Sequence, residues 1–551
     1  MQFSKYLCLL FLVAAFQPSF AASPNVLLIC IDDLKPNLGC YGDTIARTPH
    51  IDALAARGVL FQSAYCNQAV CAPSRNSLMT GLRPQTIGIY DLATNFRNGA
   101  PDAVTMGQFF QHNGYRTEGL GKIYHRGHGN GDDAATWSLP HWNPKAPSYH
   151  LPESTKNPKV DKDGKKRFAV TERADVADDF YADGQTALEA VKRLQAAAKK
   201  PGQPFLLAVG FVKPHLPFVA PQRFWDLYDS AVLPMPSVTE SPKNAPSYAA
   251  TTWGELRNYR DVPAKGDLDD ATTRHLIHGY YAATSYADAC VGKVVGELDR
   301  LGLSENTVIV LWGDHGWHLG DHGMWCKHTN YEQAARIPLI VSLPKSMSST
   351  TGVKSNALIE TVDLYPTLAS LTGFIAPEGL DGIDQSQVVK ASSKSIRDHV
   401  IHVYPRGGRL GRAIRTDRYR LVQWKEIVGE DDDVQYELYD YVSDPLETEN
   451  KIAELPGIAA ELKKLLAQHP NPKPSVAARG KSASAKPKRD PTENKRLREG
   501  WFAKRDKDQN GLLSEAEFLA GQPEANDRFP RFDKDGDGTL SRSEYVTGGK
   551  N

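Results

Sequence analysis

The feature that most constrains the fold is a series of short apolar runs, each of which ends abruptly in charged or histidine residues. A continuous apolar run of this length is typical of a buried strand that leads into a loop. Helical patterns separate the runs, the clearest over residues 273–301, with Gly302 as a stop signal. Strands that alternate with helices predict an α/β fold with a large, mixed, mainly parallel sheet flanked by helices. The runs and their following residues are 26–31 with Asp32 and Asp33, 205–211 with Lys213 and His215, and 308–312 with Asp314 and His315.

These polar clusters are candidate site residues because of where the strands would place them. In an open, mainly parallel sheet, ligands bind beyond the carboxyl ends of the strands. We therefore expect the three clusters to lie close together in one site. His318 and His322 follow the third cluster, but they match no site pattern and are expected to be packing residues.

The 551 residues are enough for a large core and an appended module, because domains usually contain about 100–200 residues. Lys5, a following apolar run, and the small residues Ala21 and Ala22 predict a cleavable signal and a secreted or periplasmic protein. The run is shorter than the ~20 residues of a membrane span, so none is expected. The predicted organisation is a signal peptide at 1–22, a catalytic subdomain at 23–390, a smaller C-terminal α+β subdomain at 391–470, a linker at 471–496 and a helical module at 497–551.

Charge and cysteine content argue against two classes of protein. Lysine plus arginine and aspartate plus glutamate both total 65, so no global basic field is available to hold nucleic acid. The stretch 471–496 is rich in Pro, Lys, Ser and Ala, which predicts a flexible, solvated linker, although its charges could contact an anionic glycan. The cysteines do not show the regular framework of a small disulfide-rich protein.

Cys71 opens the most informative segment of the chain, Cys-Ala-Pro-Ser-Arg. Pro73 and Ser74 favour the start of a helix and Gly81 its end, so Cys71 is expected at a helix N-terminus. Unpaired amides and the helix dipole favour anions at this position, and we expect them to lower the pKa of the thiol.

This segment resembles the CxPSR motif of type I sulfatases, in which a maturation enzyme converts the cysteine to formylglycine. The resemblance covers roughly residues 24–450 and is strongest to the iduronate-2-sulfatase group. One departure is Cys326, directly before Lys327, where the family usually has Gly or Ala. The matching strings are VLLICIDDLKPNLGCY at 26–41, QAVCAPSR at 68–75, GKIYH at 121–125, KPH at 213–215, GDHG at 313–316, and ELYD with DP at 437–445.

The resemblance implies an alkaline-phosphatase-like sulfatase fold and a mechanism based on oxidised Cys71. One hydroxyl of the hydrated aldehyde attacks sulfur, and the other later loses a proton so that sulfate is expelled. A thiol cannot regenerate itself in this way. A formylglycine-generating or equivalent enzyme is therefore an expected partner.

The same resemblance implies roles for individual residues. A single divalent cation, expected to be Ca²⁺, would neutralise the negative charge of the sulfate. Its implied ligands are Asp32, Asp33, Cys71, Asp314 and His315. The implied catalytic residues are Arg75, which orients formylglycine; Lys122 and His125, which hold its hydrate and the sulfate; and His215 and Lys327, which bind sulfate and assist the leaving group, with His215 as general acid.

Two acidic loops near the end of the chain match the twelve-residue EF-hand pattern. In each loop, oxygen-bearing residues occupy the ligand positions, a glycine occupies position 6 and a glutamate position 12. We expect an EF-hand pair that binds two Ca²⁺ ions away from the catalytic site. The predicted ligands are Asp506, Asp508, Asn510, Leu512 and Glu517 in the first loop and Asp533, Asp535, Asp537, Thr539 and Glu544 in the second.

The expected activity is hydrolysis of a sulfate ester on a sulfated carbohydrate, and resemblance to the iduronate-2-sulfatase group suggests a 2-O-sulfated uronic acid. Two alternatives remain at this point. One is a phosphonate or phosphate ester hydrolase of the same fold, because similar sites handle tetrahedral oxyanions. The other is an inactive, calcium-dependent glycan-binding protein.

Overall fold

The computed structural model describes residues 23–161, 164–348, 351–391, 395–427, 433–476, 499, 502–519, 529–533 and 535–547. The signal peptide expected at 1–22 and most of the expected linker, 477–496, lie outside these residues. The chain divides into two compact units after Val476. No helix among the described residues is long and apolar enough to cross a membrane.

Strands of the first unit form one large sheet, one four-stranded sheet and several two-stranded pairs. They are β1 (Asn25–Ile31), β2 (Val59–Tyr65), β3 (Arg116–Gly121), β4 (Lys159–Val160), β5 (Lys166–Arg167), β6 (Thr171–Ala174), β7 (Phe205–Phe211), β8 (Phe218–Pro221), β9 (Thr307–Gly313), β10 (His318–Leu319), β11 (Trp325–Cys326), β12 (Leu339–Ser342), β13 (Val353–Glu360), β14 (His399–Arg406), β15 (Arg409–Thr416), β16 (Tyr419–Glu426) and β17 (Gln435–Asp440).

The α-helices of this unit lie between the strands along the chain or follow the last of them. They are α1 (Pro49–Ala56), α2 (Cys71–Thr80), α3 (Pro84–Ile87), α4 (Met106–His112), α5 (Pro152–Thr155), α6 (Ala182–Ala198), α7 (Gln222–Trp225), α8 (Gly254–Arg257), α9 (Asp270–Arg300), α10 (Glu332–Ala335), α11 (Leu364–Leu371), α12 (Ser386–Ala391) and α13 (Pro456–Leu466).

The large sheet has the strand order β13-β2-β12-β9-β1-β7-β3. Strands β9, β1, β7 and β3 are parallel neighbours, and β12 is antiparallel to both β9 and β2. This arrangement confirms the predicted mixed, mainly parallel sheet. Because four adjacent strands run in one direction, the residues that follow them meet at one edge.

Strand β1 is buried on both faces, which explains its unbroken apolar sequence. Alternate side chains contribute to two cores: Leu28 packs on the side of α4 and α11, and Ile29 on the side of α6 and α9. The predicted helix at 273–301 is confirmed as α9. It begins earlier, at Asp270, because the Asp269 carboxylate accepts a hydrogen bond from the Thr272 amide (2.7 Å) and caps it.

The smaller sheet β14–β17 is an antiparallel meander, and α13 packs on one face through Leu462 and Leu466. Its other face packs against residues of the first part of the chain, including Met324 and Tyr331. Residues 471–476, expected to begin the linker, are held against the same unit. The Lys473 and Val476 amides donate to backbone carbonyls of the segment 85–88 (2.9 and 2.8 Å).

The second unit contains β18 (Leu512–Ser514), α14 (Glu515–Leu519), α15 (Phe529–Phe532), β19 (Thr539–Ser541) and α16 (Arg542–Thr547). Strands β18 and β19 pair in antiparallel register, with Leu513 opposite Leu540. Both leucines are buried with Phe502, Phe518 and Tyr545 in a small core.

Candidate active site

The four adjacent parallel strands of the large sheet place their following residues in one cluster. Asp32 and Asp33 follow β1, Asp314 follows β9, and Lys122 follows β3. Lys122 forms an ion pair with Asp32, and Asp314 accepts a hydrogen bond from the Asp33 amide. The structure therefore brings together the groups that the sequence placed after separate strands.

Cys71 is the first residue of α2 and its thiol is buried in the cluster. Its Sγ lies 3.4 Å from His315 Nε2 and 3.8 Å from Lys122 Nζ. Burial, together with the charge of Asp32, raises the pKa of the thiol well above its usual value. The expected lowering by the helix N-terminus is thus wrong, because the cost of desolvating a thiolate is larger.

Arg75 lies one turn further along α2, completely buried over the Trp312 ring. Its Nε donates to Asp314 Oδ2 (2.9 Å) and its Nη2 to Asp32 Oδ1 (3.2 Å). The third nitrogen donates to the carbonyls of Lys122 and Ile123. Arg75 therefore fixes two carboxylates of the site and contacts the loop after β3.

Four predicted ligands can converge on a metal ion. The ligand atoms of Asp32, Asp33, Cys71 and His315 all lie within 4.8 Å of one another, and all four residues are buried. Asp314 is placed differently from the other carboxylates. Its Oδ2 accepts from Arg75, while its Oδ1 accepts from the amides of Asp33 (3.0 Å) and His315 (2.9 Å) and lies 3.6 Å from His315 Nε2.

The hydrogen bonding of His315 fits a cation at this position. Its Nδ1 lies 3.1 Å from the Gly316 carbonyl, so the neutral ring carries its proton there. Burial lowers the pKa of His315 to about 4, which favours the neutral ring. Nε2 is then an electron-pair donor that faces Asp33 Oδ1 at 3.3 Å. Two such donors repel each other unless a cation lies between them.

Lys122 and His125 line the side of the cluster that belongs to β3. Lys122 Nζ forms an ion pair with Asp32 Oδ2. His125 Nε2 lies 3.2 Å from His128 Nδ1, and the two rings stack. Burial and the charge of Lys122 lower the pKa of His125 to about 3, so this ring is neutral near pH 7.

Glu255 connects the other two predicted catalytic residues, and sequence reasoning missed it. Its Oε2 accepts from Lys327 Nζ (2.7 Å) and its Oε1 lies 3.2 Å from His215 Nε2. Lys327 Nζ also lies 3.1 Å from both oxygens of Asp33. Burial opposes ionisation of Glu255, but Lys327 and His215 outweigh it and hold its pKa well below the usual range.

A family model described as Sulfatase matches residues 24–374, which is more than half of the chain. The chain belongs to the sulfatase family. It is a sulfuric ester hydrolase. A second model, described as N-sulphoglucosamine sulphohydrolase, C-terminal, matches residues 320–471.

Curated relatives of this protein include iduronate 2-sulfatases and a bacterial sulfatase. Iduronate 2-sulfatase of Mus musculus is 37% identical over 387 residues, which cover 64% of this chain and 69% of the mouse protein. The Homo sapiens enzyme of the same name is 36% identical. A sulfatase of Formosa agariphila is 30% identical over 440 residues, which cover 78% of this chain and 83% of the relative.

Solved structures confirm the fold of this sulfatase. A protein in complex with its substrate D-glucosamine-2-N,6-O-disulfate aligns with a TM-score of 0.64 at 22% identity, covering 81% of this chain and 97% of that chain. Phosphonate monoester hydrolase of Silicibacter pomeroyi also aligns with a TM-score of 0.64, at 23% identity and with 81% and 94% coverage. At these sequence identities, the structural similarity supports the fold alone.

Three residues beside the cluster of this sulfatase have packing roles. His318 and His322 are buried, and both rings contact Tyr331. Cys326 is buried in β11 with a φ of 72°, a conformation that glycine adopts without strain. None of the six cysteines among the described residues forms a disulfide.

The second unit of the sulfatase brings the predicted loop ligands together in two groups. Ligand atoms of Asp506, Asp508 and Glu517 lie within 4.8 Å of one another, as do those of Asp533, Asp535 and Asp537. Both loops are also closed by the residue at position 12. Glu517 accepts from Ser514 and from the Lys507 amide (3.0 Å), and Glu544 accepts from Ser541 (2.8 and 2.9 Å). Asn510, Leu512 and Thr539 lie in the same loops.

Proposed function

We propose that this enzyme releases sulfate from a sulfated glycan by means of a formylglycine made from Cys71, with a hard divalent cation bound beside it. The observation that carries the proposal is the convergence of Asp32, Asp33, Cys71 and His315 within 4.8 Å. The Cys-Ala-Pro-Ser-Arg segment, which begins with that cysteine, supports the modification.

The surroundings of Cys71 support an oxygen-bearing side chain at this position. An unmodified thiol is a poor nucleophile here, because its raised pKa keeps it protonated. Lys122 Nζ can only donate hydrogen bonds, and it lies 3.8 Å from Sγ. Such a donor suits hydroxyl or carbonyl oxygen better than a neutral thiol. The proposed partner is a maturation enzyme that oxidises Cys71.

Asp32, Asp33, His315 and Cys71 would hold the cation, and Asp314 would add its negative charge beside them. When bound, such an ion supplies charge neutralisation for the sulfate and acidifies a hydroxyl that it contacts. Three carboxylates with one imidazole favour Ca²⁺, which prefers oxygen ligands. Lys122, His125 and Lys327 would bind the sulfate oxygens, and Arg75 would keep Asp32 and Asp314 in place.

His215 is the proposed general acid for the departing alkoxide. Its ring is held by Glu255, which also binds Lys327, so one carboxylate orients both groups on the leaving-group side. Glu255 is therefore proposed as a positioning residue.

Glu255→Gln should reduce kcat/KM by about 10- to 100-fold, because the amide keeps the shape but loses the charge that pairs with Lys327 and holds Lys327 and His215 in place. Initial rates of sulfate release over a range of substrate concentrations give kcat and KM separately. Glu305→Gln, in an exposed single-turn 3-10 helix, is the matched control. An unchanged kcat/KM in Glu255→Gln would assign Glu255 to packing alone.

The proposed substrate is a 2-O-sulfated uronic acid in a glycan. Its support is the similarity to iduronate 2-sulfatases at 36–37% identity. Arg406 adds a structural argument, since it donates to the carbonyl of His328, directly after Lys327. Its positive charge therefore lies close to the proposed sulfate-binding residues, where a uronate carboxylate would be attracted to it. The segment at 1–22 supports secretion or export to the periplasm.

The two loops of the second unit are proposed as a calcium-binding EF-hand pair. Their support is the twelve-residue spacing together with the antiparallel pairing of β18 and β19 between them. Bound Ca²⁺ would offset the repulsion among the clustered carboxylates and stabilise the unit.

Glu517→Gln is expected to weaken calcium binding at one site of the full chain by about tenfold or more, because a bidentate carboxylate becomes a neutral amide. Glu544→Gln should do the same at the other site. Isothermal titration calorimetry with CaCl₂ measures both. Glu515→Gln, two residues from Glu517 in α14, is the control and should bind as the unaltered chain does. If all three variants titrate alike, these loops are not calcium sites.

Mass spectrometry of the peptide that contains Cys71, from protein secreted by its native host, tests the proposed function. The expected result is the mass loss that accompanies conversion of cysteine to formylglycine. Rates on an aryl sulfate and an aryl phosphonate then compare the two ester chemistries of this fold. An unmodified thiol with phosphonate as the faster substrate would overturn the proposal, and an unmodified thiol without turnover would favour the glycan-binding alternative.

A further inference from the structure

A cavity of about 350 Å³ lies between the smaller sheet and α13, on the face of the sheet that α13 covers. Side chains along β15 alternate between the two faces. Ala413 faces Met324 and Tyr331, whereas Leu410 and Arg412 face the cavity. The cavity and the residues Met324 and Tyr331 therefore lie on opposite faces of this sheet. Its volume is within the range of sites for small ligands.

Arg412 is the unusual residue of this cavity. Five arginines among the described residues are buried, and four of them form ion pairs with carboxylates. Arg412 is only 7% exposed and has no carboxylate partner among the described residues. Its Nη2 donates to the carbonyls of His469 (3.3 Å) and Pro470 (3.1 Å), and its buried Nε has no hydrogen-bond partner in the part of the chain that the structure describes. The paired arginines are Arg75, Arg83, Arg415 and Arg420.

A buried guanidinium without a counter-ion is costly, because arginine does not deprotonate in proteins. The Arg412 side chain lines the cavity. An anion in the cavity would balance the charge of the guanidinium. Carboxylates and sulfates match the planar arrangement of guanidinium donors.

The rest of the lining suits a sugar that carries such an anion. Lys463 of α13 lies over the Tyr436 ring and adds a second positive charge. Gln423 and Asn471 can bond hydroxyl groups, and Leu410 and Leu466 offer an apolar wall. Lys425 and Glu426 also line the cavity and have opposite charges.

We infer that this cavity is a second glycan site, which binds an anionic sugar of the polymer at a distance from the ester that is hydrolysed. The inference rests on the proposed function for the identity of the polymer. Such a site would tether a long chain while the catalytic site acts on one residue, so longer substrates would gain affinity that a single sugar lacks.

Binding of a fluorescently labelled, sulfated octasaccharide from heparin tests this site, with fluorescence anisotropy as the readout. All measurements use the full chain with Cys71→Ala, so that turnover does not interfere. Lys463→Glu should weaken binding about tenfold or more. Lys464→Glu, the next residue of α13, is exposed and does not line the cavity, and it should weaken binding less than twofold. Arg412→Gln should resemble Lys463→Glu.

Equal effects of Lys463→Glu and Lys464→Glu would overturn the inference, since general attraction to a basic surface would explain both. Displacement of the octasaccharide by equimolar sodium sulfate would also overturn it, because the site would then recognise a free anion. Aryl sulfate turnover by the chain with intact Cys71 is measured separately. A chain without turnover that still needs Lys463 for binding would disprove the proposed function and leave this site standing.

Discussion

Replacing Cys71 with alanine is expected to lower the rate of sulfate release by about 10⁴-fold or more, because no other side chain among the described residues of the cluster can replace the proposed nucleophile. The fold should persist. Removing one buried sulfur costs roughly 1 kcal/mol of unfolding free energy. Release of inorganic sulfate from a sulfated uronic acid disaccharide measures the first effect, and urea denaturation the second.

Cys290→Ala provides the matched control for this substitution. Cys290 is buried in the core between the sheet and α9, and it contributes no atom to the cluster. It should lose similar stability and keep full activity. A Cys71→Ala variant with activity close to that of Cys290→Ala would show that catalysis does not pass through residue 71.

Asp314→Ala is expected to combine a large loss of activity with a large loss of stability. The substitution removes the acceptor for Arg75 Nε and for the amides of Asp33 and His315. Each buried donor left unsatisfied costs about 1–3 kcal/mol, so unfolding free energy should fall by about 3–5 kcal/mol. Loss of a charge beside the proposed cation should lower kcat/KM by about 10³-fold.

Asp314→Asn separates these two effects. The amide retains one oxygen for the backbone donors, so the loss of stability should be smaller, about 1–2 kcal/mol. The charge is lost in both variants, so activity should fall to a similar level. Sulfate release and urea denaturation of the two variants side by side make the comparison. If Asp314→Asn retained full activity, the charge of this carboxylate would have no part in the reaction.

The central architecture was predictable because its sequence signals are local. β1 and β7 end at the residues that the apolar runs indicated, and β9 ends one residue later, at Gly313. Asp32 and Asp314 meet because their strands are parallel neighbours. The strand order was not predictable, since β12 and β2 pair through contacts between residues far apart in the chain.

Sequence reasoning missed several features of the protein for one common physical reason, since each depends on contacts between distant parts of the chain. Glu255 lies in α8, a four-residue helix in a region without apolar periodicity, so nothing in the sequence placed it beside Lys327. From the sequence, Arg412 is expected to be an ordinary exposed residue of a strand. It is buried in the structure because α13 and the segment that contains His469 pack over it. The pKa of Cys71 depends on desolvation, which requires knowledge of the whole fold.

Every residue of α2, from Cys71 to Thr80, is buried. An enzyme that must read Cys-Ala-Pro-Ser-Arg and oxidise its first residue cannot reach these side chains in the folded protein. The proposed modification would therefore have to take place during biosynthesis, before the chain folds around this helix. Protein that folded with an unmodified Cys71 would remain inactive, so the active fraction of a preparation would depend on how much maturation enzyme was present during synthesis.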